Sequence, residues 1–215
     1  MWGDNIKKLY IDFDGTIADT KHLIVSTMQQ TMSILGLPVK SEKECSSVIG
    51  LPLRQSFTTL IPMDEQKANA CDNTYRQLFI ENNKPGVVKL FPQVKETIEE
   101  LYAMGIVIAV ASSRGSDTLY AFLEEMNILR YISYVVTAQD VANAKPAPDM
   151  VYNILKRVDD DKSDVLVVGD TIFDIDMGKN AGVKTCGVTY GNGNIEELSK
   201  ADYVISDFHS LLDIV

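Results

Sequence analysis

The chain has 215 residues, 46% of them hydrophobic and 23% charged, and carries a net charge of −10. That length supplies one good core, or one core with a smaller appended unit, and the acidic balance excludes a general basic surface for nucleic acid or anionic lipid. No apolar run nears the length that spans a bilayer and no basic-then-apolar leader opens the chain, so the cytoplasm is the expected address. Cys45, Cys71 and Cys186 are too scattered for a disulfide framework or a thiolate metal site.

In chain order, residues 9–13 read as a strand that runs straight into two carboxylates one residue apart, Asp12 and Asp14, followed by Gly15. Residues 18–84 then show no convincing strand. Residues 23–35 are helical, Ser41 to Glu44 has the form of a capping box, Pro52 sits where a first helical turn tolerates it, and residues 64–82 form a long helix. The stretch closes at Asn82-Asn-Lys-Pro-Gly86. A helical insert in this position is expected to form a lid, giving a core of residues 1–17 and 85–215 with a cap domain of residues 18–84.

From residue 85 onward, amphipathic helices alternate with short β-branched runs, the pattern of a parallel α/β sheet. Helices are predicted over residues 94–104, 117–126, 148–158, 173–181 and 208–214, and strands over 106–111, 134–136, 165–168, 184–188 and 203–205. Together with residues 9–13 these make a sheet of five or six strands. Residues 159–164 read as a solvated acidic connector, and Met28, Met32, Phe57 and Phe79 as core of the insert.

Ligands of open parallel sheets bind beyond the carboxyl ends of the strands. Four strands here end in unusual polar residues: Asp12 and Asp14, then Ser112 and Ser113, then Lys145, then Gly169 and Asp170. Two carboxylates held close at low dielectric repel unless a cation or proton intervenes. A hard divalent ion such as Mg²⁺, bound by Asp12 and Asp170 with Asp174 in support, would cancel that charge. Aspartate needs no base to act as a nucleophile, and phosphoryl transfer to a carboxylate is its usual covalent chemistry. If Asp14 stays protonated while Asp12 is ionised, Asp14 can protonate a leaving oxygen and later deprotonate water. Backbone amides near Gly15 and Ser113, the Ser112 hydroxyl and the Lys145 ammonium suit phosphoryl oxygens. Arg54 and Arg114 are candidates for a substrate carboxylate or second phosphate, with surface salt bridging as the other reading of each. Each residue taken singly also fits a turn or helix-cap role; the weight comes from their falling after four consecutive strands.

These motifs resemble those of the haloacid dehalogenase-like hydrolase superfamily. "DFDGT" is similar to its first motif, Ser112 in "VASSR" to its second, Lys145 in "KPAPD" to its third and "GDTIFDIDMGKNAG" to its fourth. The resemblance implies a Rossmann-like core with a helical cap, a nucleophile at Asp12 and an acid/base at Asp14. It also implies Mg²⁺ held by Asp12, the backbone carbonyl of Asp14 and Asp170, with Asp174 supporting. The insertion point is similar to the phosphoglycolate phosphatase and β-phosphoglucomutase branch. Dehalogenases of the superfamily do not keep the second aspartate, so Asp14 favours phosphate substrates. The histidine of the mutases does not line up with His22. The expectation is therefore a Mg²⁺-dependent phosphatase for a small phosphorylated metabolite, phosphoglycolate-like or a sugar phosphate, with no nucleic-acid or membrane partner. A phosphomutase is the same-fold alternative. A phospho-aspartate signalling receiver is the alternative from another class, although receivers are shorter and lack a helical lid.

Overall fold

The computed structural model describes residues 5–158 and 161–215. Its centre is a six-stranded sheet built from β1 (Lys8–Ile11), β4 (Val107–Ser112), β5 (Tyr134–Thr137), β6 (Val165–Gly169), β7 (Lys184–Val188) and β8 (Tyr203–Ile205). The strand order is β5-β4-β1-β6-β7-β8 and every pairing is parallel. The remaining strands, β2 (Ala18–Asp19) and β3 (Lys89–Leu90), form a separate antiparallel pair.

Strand alternation explains how both faces of the sheet are filled. Leu9, Ile11, Ile108, Val110, Leu166 and Val168 enter one apolar cluster. Tyr10, Ala109, Ala111, Val165 and Val167 enter the other. The helices of this core are α5 (Val94–Ala103), α6 (Ser116–Glu125), α7 (Asp149–Leu155), α8 (Ile172–Ala181) and α9 (Ile195–Leu198). Because β1 lies in the middle with Ile11 level with Val110 and Val168, the residues that follow these three strands converge at one edge.

The insert contributes α1 (Lys21–Ile34), α2 (Glu42–Ser46), α3 (Leu53–Leu60) and α4 (Glu65–Asn82), which pack on one another. Ser41 and Glu44 do form a capping box at α2, and the Asp64 carboxylate accepts from the Lys67 N–H to start α4. Met28, Met32, Phe57 and Phe79 are all buried. Pro52 stands one place earlier than expected, as the N-cap of α3.

Several expectations need correction. The insert was predicted to lack strands, yet β2 pairs with β3 where the chain enters and leaves it, a ribbon too short to show an alternating pattern. The predicted helix over residues 208–214 is a 3₁₀ segment, Phe208–Asp213, started by Asp207 accepting from the Ser210 N–H. Residues 159 and 160 of the acidic connector lie outside the described residues. Its last member is not solvated: Asp164 is buried and accepts from Lys8 Nζ at 2.8 Å. Among the described residues no helix is long and apolar enough to cross a membrane.

Candidate active site

At the carboxyl edge of the sheet, Asp12 continues β1, its N–H donating to the Val168 carbonyl at 2.9 Å. Asp170 follows β6 and Asp174 lies in the first turn of α8. One carboxylate oxygen from each of Asp12, Asp170 and Asp174 lies within 4.8 Å of the others, and all three residues are buried. Lys145, reached through the loop after β5, is buried as well. Its Nζ donates to Asp12 Oδ1 and to Asp174 Oδ1, each at 2.6 Å.

Each carboxylate has its own support. Asp170 accepts from Thr16 Oγ1 at 3.1 Å, from the Asn192 N–H at 2.6 Å and from Asn192 Nδ2 at 3.1 Å. Asp174 Oδ2 accepts from the Thr171 N–H and hydroxyl at 3.1 and 2.7 Å. Asp12 Oδ2 is buried and has no hydrogen-bond partner. Native interiors rarely leave such an atom unmatched, because its desolvation is uncompensated.

The electrostatics of the cluster follow from one ammonium serving three carboxylates. Burial raises Asp12 well above the ordinary carboxyl range; Lys145 opposes this, while Asp174, Asp170 and Asp14 reinforce it. Burial, then Asp174, pushes Asp170 up to about 7. Lys145 moves upward despite its burial, held charged by Asp12 and Asp174. The cluster is thus short of positive charge.

Asp14 has a different environment. Its carboxylate accepts from Arg114 Nε at 3.1 Å and Nη2 at 2.5 Å, and from the Thr20 hydroxyl at 2.7 Å. Three donor atoms, two from Arg114 and one from Thr20, are thus aimed at its two oxygens. Arg114 itself departs from the surface reading: its side chain is only 7% exposed. Arg54 keeps to that reading, 42% exposed and paired with Asp72 at 3.5 Å and Glu65 at 3.9 Å, with Asn69 also in contact.

Of the other predicted residues, Ser112 is fully buried and its hydroxyl accepts from the Arg114 N–H at 3.2 Å. The Ser113 hydroxyl donates to the Gly50 carbonyl of the insert at 2.6 Å. The Gly15 N–H donates to the Ala18 carbonyl at 2.9 Å, so in this geometry it does not point outward as a phosphate donor. Gly15 instead matters sterically: at φ +90° a side chain is strained, and a Cβ there would overlap the Asp170 carboxylate and Asn192.

Thr16 and the loop Tyr190 to Gly193 also enter the site, outside the residues to which the strand-end pattern points. Besides the Asn192 contacts, Tyr190 donates to the Thr16 carbonyl at 2.9 Å, and Gly191 and Gly193 press against Asp170 with no room for a side chain. The signal was present: the Gly-Asn-Gly follows β7, so a fifth strand also ends in unusual residues at the same edge. Asp12 and Asp14 open onto a cleft of about 430 Å³ whose opposite wall comes from the insert, including Met28, Tyr75 and Phe79.

Residues 10–188 match the haloacid dehalogenase-like hydrolase family. The chain is 33% identical over 196 residues to a probable phosphatase, IndB, of Dickeya dadantii, covering 89% of this chain and 84% of that protein. It is 30% identical over 213 residues to pyrophosphatase PpaX of Oceanobacillus iheyensis, covering 98% and 97%. A crystal structure of a putative haloacid dehalogenase-like hydrolase from Bacteroides fragilis superposes with a TM-score of 0.89 at 24% identity, covering 96% and 99%, a likeness of fold. The chain belongs to the haloacid dehalogenase-like hydrolases. Within that family its place is among the phosphatases.

Proposed function

We propose that this chain is a cytoplasmic, Mg²⁺-dependent phosphatase that hydrolyses a small organic phosphomonoester by way of a phosphoryl group carried on Asp12. The observation that carries the reading is the unmatched Asp12 Oδ2, buried inside a cluster of three carboxylates that a single lysine leaves short of positive charge. The donor set consists of hard oxygens, which suits Mg²⁺ rather than a thiophilic metal. Asp12 and Asp170 would hold the ion, with the Asp14 backbone carbonyl as the resemblance implies and Asp174 in support. Bound there, Mg²⁺ would supply the charge cancellation that lets an anionic nucleophile approach an anionic phosphoryl group.

The chain's own residues would then divide the work. Asp12 Oδ attacks phosphorus, the bond to the leaving oxygen breaks, and Asp14, having taken up a proton from solvent before the substrate is enclosed, delivers it to that oxygen. Asp14, now a carboxylate, removes a proton from water as that water attacks the phosphoryl group on Asp12, which regenerates the aspartate and releases phosphate. Lys145 holds Asp12 in orientation and stabilises charge on the transferring group. The insert walls the cleft opposite these residues and so acts as the cap, excluding bulk water and selecting the leaving group. Three free cysteines agree with a reducing compartment.

The substrate we favour is an organic monoester, phosphoglycolate-like or a sugar phosphate, because the cleft is walled mainly by apolar insert side chains such as Met28, Leu51 and Phe79. The pyrophosphatase relative makes inorganic pyrophosphate the compound to test against it. Two experiments decide. Asp12→Asn should abolish turnover in a chain that still folds, as circular dichroism would show, and normal phosphate release by that variant would remove Asp12 from the nucleophile role. A panel of phosphate esters and pyrophosphate, assayed with and without Mg²⁺, should show activity on organic monoesters only when the ion is present.

A further inference from the structure

We propose that Asn192 selects the ion: by filling one oxygen of Asp170 it restricts that carboxylate to a single point of attachment and so favours Mg²⁺ over Ca²⁺. The inference rests on the metal reading given above.

A carboxylate has two oxygens and about four lone-pair sites. Asp170 Oδ2 accepts twice from Asn192, from the backbone N–H at 2.6 Å and from Nδ2 at 3.1 Å. Asp170 Oδ1 accepts once, from Thr16 Oγ1 at 3.1 Å. Asp174 is divided in the same way, with two donors from Thr171 on Oδ2 and Lys145 alone on Oδ1. Each of these two carboxylates therefore has one oxygen filled and one with room for an ion. Ca²⁺ takes about six to eight oxygens and often both from one carboxylate, whereas Mg²⁺ holds a near-ideal octahedron, takes few carboxylates and keeps water in the remaining places. One oxygen from each carboxylate suits Mg²⁺.

The Thr171 bonds also start α8, which accounts for them without an ion. No such local need explains the Asn192 amide, which reaches across 22 residues of chain from the loop after β7 to the residue after β6. The loop is shaped to deliver it. A Cβ at Gly191 would overlap Asp170 Oδ2, and one at Gly193 would overlap the Asp170 backbone carbonyl, so both flanking positions lie flat against the residue that Asn192 holds. Tyr190 donates to the Thr16 carbonyl at 2.9 Å, which fixes to each other the two segments that bond the Asp170 oxygens.

Steadying a metal ligand and withholding one of its oxygens have different consequences. Loss of a contact that orients a ligand weakens metal binding by about 10- to 10²-fold. If Asn192 only steadied Asp170, its removal would weaken both ions alike. If it withholds Oδ2, its removal weakens Mg²⁺ and hands Ca²⁺ a second oxygen.

Isothermal titration of the chelator-stripped chain with Mg²⁺ and with Ca²⁺ separates the two. Asn192→Ala removes the Nδ2 donor, keeps the backbone N–H and frees one lone-pair site on Oδ2. It is expected to raise the ratio of the Mg²⁺ Kd to the Ca²⁺ Kd by about 10-fold over the unmodified chain. Asn192→Ser carries the titration if the alanine variant does not fold. Crystals of the unmodified chain grown with Ca²⁺ should show Asp170 meeting the ion through one oxygen, and those of Asn192→Ala through two. Equal losses for both ions, unchanged affinities, or both Asp170 oxygens on Ca²⁺ in the unmodified chain would overturn the proposal, while Mg²⁺ binding by that chain would leave the metal reading standing. If the unmodified chain binds neither ion, both fail together.

Discussion

Asp12 and Asp14 are two residues apart on the same strand end, yet the chain treats their charges in opposite ways. Asp14 is balanced locally, one carboxylate against one guanidinium, with a hydroxyl filling its remaining contact. Asp12 belongs to a group of three buried carboxylates with one ammonium, and one of its own oxygens has no partner. The first arrangement is complete as it stands; the second is complete only with another cation. The difference divides an acid–base station from a metal and nucleophile station, although both arise from the same short motif.

The largest expected effect comes from making the incomplete side worse. Lys145→Met removes the only ammonium that touches Asp12 and Asp174 among the described residues. Breaking a buried pair by deleting one partner costs about 3–5 kcal/mol, since the partner is left desolvated. Turnover should fall by about 10²- to 10³-fold, the range for losing one preorganised electrostatic contact. Urea unfolding in the presence of EDTA should show the stability loss, and saturating Mg²⁺ should recover part of it. A variant as stable as the parent in EDTA would mean that the carboxylates do not need the lysine.

Mg²⁺ should act on the same imbalance in the unmodified protein. An ion that binds only the folded chain adds about 2.7 kcal/mol at 100 times its Kd, which for a chain of this size raises Tm by roughly 5–10 °C. The pH dependence carries the sharper test. Asp170 holds a proton in the folded chain up to about pH 7 but has an ordinary value of 3.8. Between those limits the folded state carries the extra proton, so this group's contribution to stability falls as pH rises and is least favourable above pH 7. In EDTA, Tm should therefore decline from pH 5 toward pH 8, and the increment given by Mg²⁺ should grow over the same range. Asp170→Asn should flatten both trends. An Mg²⁺ increment that is independent of pH would break the contrast between the two stations.

Much of this was readable from the chain and some was not, for physical reasons. Strands buried on both faces appear as continuous apolar runs, so residues 165–168 announced themselves, and the polar residues that follow such strands marked the edge where chemistry gathers. The two-residue ribbon β2/β3 is too short to carry a period. Arg114 could not be told from a surface arginine, because its burial depends on rings drawn from Phe13, Phe79 and Phe122, which lie far apart along the chain. The Gly191-Asn192-Gly193 loop was visible as sequence, but its contact with Asp170 arises only when β7 lies beside β6.

Gly15→Ala gives a smaller effect that still falls on the metal side. The position has φ +90°, and the added methyl would overlap the Asp170 carboxylate. Backbone strain of this kind costs roughly 1–3 kcal/mol. The variant should melt earlier and, because Asp170 is displaced, bind Mg²⁺ more weakly, as isothermal titration would report. Weakened stability with unaltered Mg²⁺ affinity would separate Asp170 from the ion.

The smallest effect belongs to another arginine of the cleft, and it isolates burial as the variable. Arg54 and Arg114 both line the cleft and both meet aspartates, but Arg54 is 42% exposed and Arg114 is 7% exposed. Water screens the Arg54 pairs with Asp72 and Glu65, and exposed pairs of this kind contribute about 1 kcal/mol or less. Arg54→Gln should therefore shift the urea midpoint only slightly at low salt, and the shift should shrink further at high salt. Arg114→Gln should lose considerably more, with little dependence on salt, because its fork to Asp14 lies away from bulk water. If the two substitutions cost the same, the burial of Arg114 contributes nothing to holding Asp14, and the complete half of the site is no more rigid than the surface.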